Sequence, residues 1–207
     1  MAQKLLQRYK DNDRMNHWFM AIMFFMAALS GLAFFHPSLF FFTNLFGGGQ
    51  WTRILHPFMG VLMVLSFLGM FLRLWKDNVV TEADHEWRKH AGKMIHGDKS
   101  NMPPVGKYNF GQKVIFWVMA GSLTVLLLTG FIFWRPWFAP YFSIDFMRFA
   151  VLLHAVSAVV LILATIVHVY AAIWVKGTVR AMTRGTVTES WAKLNHPLWH
   201  KEVTKGQ

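Results

Sequence analysis

Four long stretches without charged side chains constrain the fold of this sequence more than any other feature. They lie within residues 17–35, 54–75, 114–134 and 149–175. A helix of about 20 apolar residues, rising 1.5 Å per residue, crosses the roughly 30 Å hydrocarbon core of a bilayer. The sequence therefore predicts an all-α integral membrane protein, a single domain over 1–207 with four transmembrane helices at about these positions.

The first stretch has the position of a cleavable signal peptide but is too long to be one. The apolar core of a signal peptide spans roughly 7–15 residues. Here the uncharged stretch continues from His17 to Phe35, and Asp11 and Asp13 precede it. We therefore expect the first helix to be retained as a membrane span.

The composition favours a membrane protein over a soluble one. Hydrophobic residues make up 55% of the chain and charged residues only 15%, whereas soluble domains carry roughly 25% charged residues. The formal net charge of +11 would suggest nucleic-acid binding in a soluble protein. In a membrane protein a basic excess is typical of the cytoplasmic segments, and no nucleic-acid partner is expected.

The basic residues predict the orientation of the chain, because Lys and Arg stay on the cytoplasmic side during insertion. All of them except Arg53, Arg135 and Arg148 lie in the N-terminal arm, in or just before the middle connection, or in the tail. Both termini, the middle connection (76–113) and the tail (176–207) are therefore predicted to be cytoplasmic. Tryptophans near the predicted helix ends match an interfacial aromatic belt; they are Trp51, Trp75, Trp117, Trp134, Trp137 and Trp174.

Cysteine is absent from the sequence, and histidine occurs ten times. Without cysteine the chain cannot form a disulfide, a C-x-x-C-H haem attachment, a cysteine-ligated zinc site or a thiolate-bound iron–sulfur cluster. A redox metal on this chain would therefore need histidine ligands. Four histidines fall in the predicted spans, where an unbonded polar ring costs free energy; they are His17, His56, His154 and His168.

The predicted topology sorts these histidines into two pairs. His17 and His168 lie toward the cytoplasmic side, and His56 and His154 lie toward the outer side. Because 14 residues separate His154 from His168, both lie within about 40° of one helix face and about 21 Å apart along the axis. This pattern predicts two bis-histidine haem b groups in a four-helix bundle. The outer haem would be held by His56 and His154. The inner haem would be held by His17 and His168.

Two glycines have positions that suit a flat macrocycle. Gly31 lies 14 residues after His17, at the depth of the outer pair, and Gly60 follows His56 by four residues. A missing side chain at these positions would make room for the outer haem. With imidazole at both axial positions, neither haem could bind oxygen or substrate, so both would carry electrons.

Roles without haem also stay open for the intramembrane histidines. A single membrane histidine is often a hydrogen-bonded packing residue. A proton relay or a transporter site usually contains Asp or Glu, and neither occurs inside the uncharged stretches. Zinc or copper would find only two ligands at each depth, which a macrocycle between helices explains better.

The remaining histidines are interpreted as loop residues; they are His36, His85, His90, His96, His196 and His200. The spacing of four between His196 and His200 would match one helix face. Pro197, which lies between them, predicts a helix start instead of a metal site.

The segment 107–113 (KYNFGQK) directly precedes the third predicted helix, at the depth of the inner haem. Asn109 and Gln112 can hydrogen-bond a quinone carbonyl, and Gly111 exposes its backbone N–H, while Tyr108 and Phe110 can line an apolar ring site. An ordinary helix start with Asn109 as the cap would use the same residues. The residues by themselves leave both interpretations open.

Several short motifs, taken in order, resemble the gamma subunit of respiratory formate dehydrogenase, its membrane cytochrome b. They are Arg14-Met15-Asn16-His17-Trp18, Arg53-Ile54-Leu55-His56-Pro57-Phe58, Tyr108-Asn109-Phe110-Gly111-Gln112-Lys113, Trp134-Arg135-Pro136, the stretch from His168 to Gly177, and Asn195-His196-Pro197. In this combination and order the motifs are specific for that family.

The resemblance implies a four-helix, di-haem subunit of the bacterial inner membrane. It would anchor an iron–sulfur beta subunit and an alpha subunit with a molybdenum or tungsten pterin, in a heterotrimer that oligomerises further. Formate would be oxidised by the alpha subunit outside the cytoplasm, so no catalytic residue for formate is expected on this chain.

The resemblance also implies the path of the electrons. They would pass from the beta subunit to the outer haem and then to the inner haem, and reduce a quinone, typically menaquinone. The quinone contacts map to Asn109 and Gly111, with His168 adjacent. Proton uptake from the cytoplasm would accompany quinone reduction and contribute to the proton-motive force.

Two alternatives of different class stay open at this point. One is a related cytochrome b that anchors another respiratory oxidoreductase, such as a hydrogenase or a thiosulfate reductase. The other is a haem-free membrane scaffold or transporter. The segment 101–104 (NMPP) follows no motif of the family, which leaves the role of the middle connection open.

Overall fold

The computed structural model describes residues 4–95, 103–135 and 137–205. Its helices are α1 (Asp11–Phe35), α2 (Gly49–Leu74), α3 (Glu82–Ile95), α4 (Phe110–Ile132), α5 (Ile144–Trp174), α6 (Thr178–Arg184), α7 (Glu189–Asn195) and α8 (Pro197–Thr204). Two short strands are β1 (Leu5–Gln7) and β2 (Thr186–Thr188), and 3₁₀ segments cover Pro37–Phe46, Lys76–Asn78 and Ala139–Tyr141. Among the described helices, α1, α2, α4 and α5 are long and apolar enough to cross a membrane. The predicted all-α architecture with four membrane spans is confirmed.

Each membrane span begins several residues before its predicted start, while the ends agree to within two residues. The helices continue through charged residues such as Asp13, Arg53 and Arg148. An uncharged stretch marks the part of a helix that lies in hydrocarbon, whereas backbone hydrogen bonding continues into the interface. The spans are therefore longer than the apolar stretches that predict them.

The chain divides into two compact units. The bundle unit contains Met15–Leu72 and the described residues of Val118–Val167. The tail unit contains the described residues of Met1–Arg14, Arg73–Trp117 and His168–Gln207.

Small side chains form the buried face of α1 in the bundle unit, and they are Ala27, Ser30 and Ala33. Small residues allow membrane helices to approach closely, which matters because lipid provides no hydrophobic driving force between helices. Large apolar side chains occupy other faces, and Leu163 and Ile166 of α5 are 56% and 59% exposed. Such faces suit contact with lipid acyl chains.

Hydrogen bonds between Asn16, the residue before His17, and Ser66 connect α1 to α2. Asn16 Nδ2 donates to the Ser66 carbonyl oxygen at 2.9 Å, and Ser66 Oγ donates to Asn16 Oδ1 at 2.8 Å. Polar side chains that hydrogen-bond across membrane helices fix their relative position. The depth of His17 against α2 therefore depends on this pair as well as on helix length.

A two-stranded antiparallel sheet organises the tail unit, and the sequence patterns did not predict it. Leu6 of β1 pairs with Val187 of β2. Both side chains are buried together with Trp191 and Trp199 in a small hydrophobic core. Gly185, which has a φ of +75°, lies between α6 and β2, and a Cβ there would lie 2.9 Å from the Tyr9 carbonyl oxygen. The N-terminal arm and the C-terminal tail are thus packed against each other.

The middle connection contains the helix α3 (Glu82–Ile95), so the interpretation of its histidines His85 and His90 as loop residues is wrong. His85 and His90 lie on this helix. At the start of this helix Asp84 Oδ2 accepts the Thr81 backbone N–H at 2.7 Å and the Thr81 hydroxyl at 2.9 Å. His200 also lies on a helix, α8, and the predicted helix start at Pro197 is confirmed. His96 lies outside the described residues.

Replacing Lys113 with methionine should destabilise the contact between α3 and α4. Lys113 Nζ and Asp84 Oδ2 lie 2.6 Å apart, and both side chains are less than a tenth exposed. Removing one partner of a buried ion pair costs about 3–5 kcal/mol. Burial raises the pKa of Asp84, but hydrogen bonds from Lys113 and Thr81 outweigh it and hold that pKa below its usual value. The stabilisation is therefore present at neutral pH and is lost as the pH falls through the lowered pKa.

Thermal unfolding of the detergent-solubilised protein measures this effect. Lys89→Met is the matched control, because the ion pair between Lys89 and Glu86 is more than half exposed on both sides. Exposed pairs contribute at most about 1 kcal/mol. Equal unfolding temperatures for the two variants would contradict the prediction.

Candidate metal centre

The structure brings His56 of α2 and His154 of α5 together inside the bundle unit. Their ring centroids lie 6.3 Å apart, and the ring planes are inclined by 64°. Two imidazoles bound to opposite sides of one metal, with metal–nitrogen bonds of about 2.0 Å, have ring centres roughly 6 Å apart. The separation therefore suits two axial ligands of a single metal ion.

Ser30 of α1 fixes the tautomer of His56. Ser30 Oγ donates its hydrogen to the Ala27 carbonyl oxygen at 3.0 Å, and it lies 2.8 Å from His56 Nδ1. Because the hydroxyl hydrogen is used in the bond to Ala27, the Ser30 oxygen accepts the Nδ1–H of His56. The Nε2 lone pair is then left for a metal.

Thr129 of α4 forms the equivalent hydrogen bond with the Nδ1 atom of His154. Thr129 Oγ1 donates to the Val125 carbonyl oxygen at 2.6 Å and lies 2.9 Å from His154 Nδ1. The same reasoning makes His154 Nδ1 a donor and leaves its Nε2 lone pair for a metal. Both rings are therefore in the tautomer that an axial ligand needs.

The donor set at this site fits haem better than a bare metal ion. Within 4–95, 103–135 and 137–205, His, Cys, Asp and Glu side chains form no group of three that could hold a metal. Zinc takes four ligands in structural sites and three protein ligands in catalytic sites. A macrocycle supplies four equatorial nitrogens itself, so two histidines on opposite sides complete the coordination.

Glycines next to the two hydroxyl residues make room for the ligand rings. A Cβ at Gly31 would lie 3.2 Å from His56 Cε1, and a Cβ at Gly130 would lie 3.5 Å from His154 Cε1. At Gly60 no described atom lies within 4 Å of such a Cβ. The close neighbour of Gly31 is thus the His56 ring. The predicted space for a macrocycle at Gly31 and Gly60 stays a prediction. Sequence reasoning missed Ser30, Thr129 and Gly130, although a hydroxyl residue before glycine in an apolar span was a usable signal.

Replacing Gly31 with valine should displace the His56 ring and lower the haem content toward one group per chain. The valine Cβ would be closer to the ring than nine in ten ordinary Cβ contacts, and its two methyl groups add further volume. Gly121→Val is the matched control, because Gly121 of α4 has open space at its Cβ position. The pyridine haemochrome assay gives the measurement. Equal haem content in the two variants would show that Gly31 does not position the ligand.

His17 and His168, the predicted ligands of the inner haem, lie in different units. His17 is in the bundle unit on α1, where its ring meets the Trp18 ring edge-on at 5.3 Å. His168 is in the tail unit near the end of α5. Their pairing stays a prediction from the helix topology.

Asn109 and Gln112 form a reciprocal cap at the start of α4. The Gln112 backbone N–H donates to Asn109 Oδ1 at 2.9 Å, and the Asn109 backbone N–H donates to Gln112 Oε1 at 2.9 Å. This is the capping-box arrangement, so the interpretation as a helix start is confirmed. The cap uses the amide oxygens and not the NH2 groups, and the quinone interpretation stays a prediction.

Trp87 of α3 covers the same segment. A Cβ at Gly111 would lie 3.7 Å from the Trp87 ring and 3.4 Å from Asn109 Oδ1, and the Phe110 ring centroid lies 6.1 Å from that of Trp87. Trp87 is buried. Sequence reasoning missed this residue, and the amphipathic pattern of 82–95 was the signal that could have found it.

The N-terminal arm contacts the beginning of the segment 107–113. Tyr9 and Tyr108 share a hydrogen bond between their hydroxyl oxygens at 3.0 Å, and Arg8 donates to the Lys107 carbonyl oxygen. Burial first, and then Tyr9, raise the pKa of Tyr108 well above its usual value, so its phenol stays protonated. The position of Asn109 therefore depends on the N-terminal arm, about 100 residues earlier in the sequence.

His196 is a structural residue of the tail unit. Its side chain is buried, and its Nδ1 lies 2.8 Å from the Gly106 carbonyl oxygen, to which it donates. Burial and the nearby Arg8 charge lower the pKa of His196 to about 4, so the ring is neutral at pH 7.

His36 caps the following 3₁₀ segment by accepting the Ser38 N–H. His200 Nε2 lies 3.1 Å from Glu189 Oε1.

Comparison with known proteins finds similarity to membrane cytochromes b. The family model of prokaryotic cytochrome b561 matches residues 8–185. The chain is 48% identical over 198 residues to the formate dehydrogenase cytochrome b556(fdo) subunit of Escherichia coli K12, which covers 96% of this chain and 93% of the relative.

Two further relatives carry similar names. The nitrate-inducible formate dehydrogenase cytochrome b556(Fdn) subunit of Escherichia coli K12 is 41% identical over 204 residues, covering 99% of this chain and 94% of the relative. The formate dehydrogenase cytochrome b556 subunit of Haemophilus influenzae Rd is 40% identical over 195 residues, covering 94% and 82%. Together with the four apolar helices, these matches place the chain in the bacterial inner membrane as a multi-pass protein. The chain belongs to the prokaryotic cytochrome b561 family and, within it, to the cytochrome b556 subunits of formate dehydrogenase.

Proposed function

We propose that this chain is the membrane-anchoring, di-haem subunit of a respiratory formate dehydrogenase, and that it passes electrons across the membrane to a quinone. The observation that carries the proposal is the His56–His154 pair. The two rings have the separation of axial ligands, and both Nδ1 atoms donate to hydroxyl oxygens, which leaves both Nε2 atoms for iron.

Four intramembrane histidines support two haem b groups rather than one. His56 and His154 would hold the outer haem. His17 and His168 would hold the inner haem, and α5 would provide one ligand to each. A bound haem would supply one-electron redox chemistry at each pair, and with two histidine ligands its iron would have no place for oxygen or substrate.

The segment before α4 is the proposed quinone site, with Asn109, Gly111 and Gln112 as contacts and His168 adjacent. Within the first turn of a helix the backbone N–H groups have no carbonyl partner in the helix itself. Gly111 lies in this turn, so its N–H can donate to a quinone carbonyl oxygen. The Asn109 NH2 group is a second donor, because the cap uses only the oxygen of that amide.

The electron donor would be an iron–sulfur beta subunit on the outer side. The chain has no cysteine, so iron–sulfur clusters would belong to a partner subunit. The family resemblance assigns the molybdenum or tungsten pterin for formate oxidation to a further partner, the alpha subunit. The relatives are named as formate dehydrogenase subunits, which favours formate over hydrogen or thiosulfate as the source of electrons. Further association of the heterotrimers is part of this proposal.

The distribution of basic residues supports cytoplasmic termini and a cytoplasmic quinone site. A quinone gains two electrons and two protons on reduction. With electrons supplied from outside and protons taken from the cytoplasm, the reaction would add to the proton-motive force. Menaquinone is the expected acceptor.

Spectroscopy of the purified complex tests the proposal. We expect two haem b groups per chain by the pyridine haemochrome assay and rapid reduction of both after formate is added. Reduction by hydrogen and not by formate would favour the cytochrome of a hydrogenase. Correctly folded protein without b-type haem would rule out the electron-transfer function.

A further inference from the structure

Two equivalent modules surround the proposed outer haem. In each, a hydroxyl residue followed by glycine lies on one helix and faces a histidine on the next membrane helix. Ser30-Gly31 of α1 faces His56 of α2, and Thr129-Gly130 of α4 faces His154 of α5. Both histidines are thus held by the same chemical arrangement.

We propose that Ser30 and Thr129 are positioning residues that set the orientation and the electron-donor strength of the two outer haem ligands. This inference rests on the proposed haem site. Neither hydroxyl would touch the haem iron in this arrangement, because each acts on the far nitrogen, Nδ1, of its histidine.

The direction of the hydrogen bonds supports this role. Each hydroxyl donates to a backbone carbonyl in the preceding turn of its own helix, at 3.0 Å for Ser30 and 2.6 Å for Thr129. A hydroxyl oxygen that donates becomes a better acceptor, because hydrogen bonds in a chain polarise one another. A chain of two hydrogen bonds therefore runs from the imidazole N–H through the hydroxyl to the backbone carbonyl.

This hydrogen-bond chain should make the histidine a stronger electron donor to the metal. Accepting the Nδ1–H shifts electron density toward Nε2 and raises the basicity of that nitrogen. A more basic ligand stabilises the oxidised, more positive iron over the reduced one. The two hydroxyls should therefore hold the potential of the outer haem below the value that the same histidines would give without them.

The adjacent glycines explain how the hydroxyls reach the rings. At Gly31 and Gly130 the Cε1 edge of each imidazole occupies the place beside a missing side chain, within 3.2 and 3.5 Å of a hypothetical Cβ. A larger residue there would push the ring away from the hydroxyl one position earlier. Hydroxyl and glycine therefore work as one unit.

Thr129→Val tests the inference, because valine keeps the shape of threonine but lacks the hydroxyl. Thr129→Ser restores the hydroxyl, and Ser30→Ala and Ser30→Thr form the corresponding pair on α1. Thr124→Val is the matched control, since Thr124 makes the same type of bond, to the Ala120 carbonyl oxygen at 2.9 Å, on the exposed face of α4.

Redox titration of haem absorbance and low-temperature electron paramagnetic resonance of the complex are the readouts. We expect Thr129→Val and Ser30→Ala to raise the potential of one haem and change its resonance signal. The other haem should be unaffected, and Thr129→Ser, Ser30→Thr and Thr124→Val should match the unmodified protein. Loss of one haem in Thr129→Val but not in Thr129→Ser would also support the role.

Two results would overturn the inference. One is unchanged potentials and signals in both hydroxyl-free variants with two haems bound. The other is an equal effect in Thr129→Ser and Thr129→Val, which would point to packing instead of the hydroxyl. An unmodified protein without haem would instead refute the proposed function, so the two failures are distinguishable.

Discussion

Replacing His154 with alanine should remove one haem from the chain and abolish formate-driven reduction of the other. Alanine provides no iron ligand, and it leaves Thr129 without the ring that its oxygen contacts at 2.9 Å. Because the outer haem is the proposed entry point for electrons, its loss would disconnect the inner haem from the donor. The haem content should fall from two to one, and the remaining haem should be reduced by dithionite but not by formate.

His85→Ala is the control for this variant, because His85 lies exposed on α3 and no ligand role is proposed for it. It should retain both haems and normal formate reduction. The pyridine haemochrome assay and stopped-flow absorbance give the two measurements. Retention of both haems by His154→Ala would show that the histidines are paired incorrectly.

Replacing Asn109 with aspartate should slow quinone reduction by about fivefold or more, while both haems remain reducible by formate. Aspartate keeps the oxygen that caps α4 and is among the preferred cap residues. It removes the NH2 donor, and the loss of a hydrogen bond worth about 1–3 kcal/mol corresponds to roughly 5- to 150-fold. The substitution therefore separates the capping function of Asn109, which the structure contains, from its proposed contact with quinone.

Two further variants make this experiment decisive. Asn109→Ser also keeps a capping oxygen without adding a charge, so it separates donor loss from repulsion by the aspartate. Thr188→Asp changes a different helix cap in the tail unit, that of α7, where no quinone contact is proposed. Quinone turnover equal to that of the unmodified protein in both Asn109 variants would remove Asn109 from the quinone site.

The proposed double use of Asn109 would suit a helix start. The capping box fixes the Asn109 side chain through its oxygen, and this leaves the nitrogen in a defined position. Trp87 of α3 and Tyr9 of the N-terminal arm contact the surrounding segment. A donor fixed in this way loses little further freedom when a ligand binds.

The sequence predicted the features that depend on local pattern. Four uncharged stretches predicted four spans, because the hydrocarbon core tolerates neither charges nor unpaired backbone groups. Their starts were placed too late, since the helices continue through residues such as Arg53. The spacing of His154 and His168 on one helix also followed from the sequence, because helical periodicity is fixed.

The contacts between distant residues could not be predicted in this way. No spacing rule connects Ser30 to His56 or Thr129 to His154, because these contacts depend on how two helices are packed and rotated. The strand pairing of Leu6 with Val187 joins opposite ends of the chain, and strands of three residues give almost no periodic signal.

The sequence by itself thus determined a four-span membrane protein in which a redox metal would need histidine ligands, since composition and hydropathy are properties of the chain. The tertiary structure decided which side chains act on those histidines. It placed a hydroxyl and a glycine against His56 and against His154, the proposed outer ligands. The physical reason is that a hydrogen bond requires atoms within about 3 Å of each other, and across two helices only packing brings them that close.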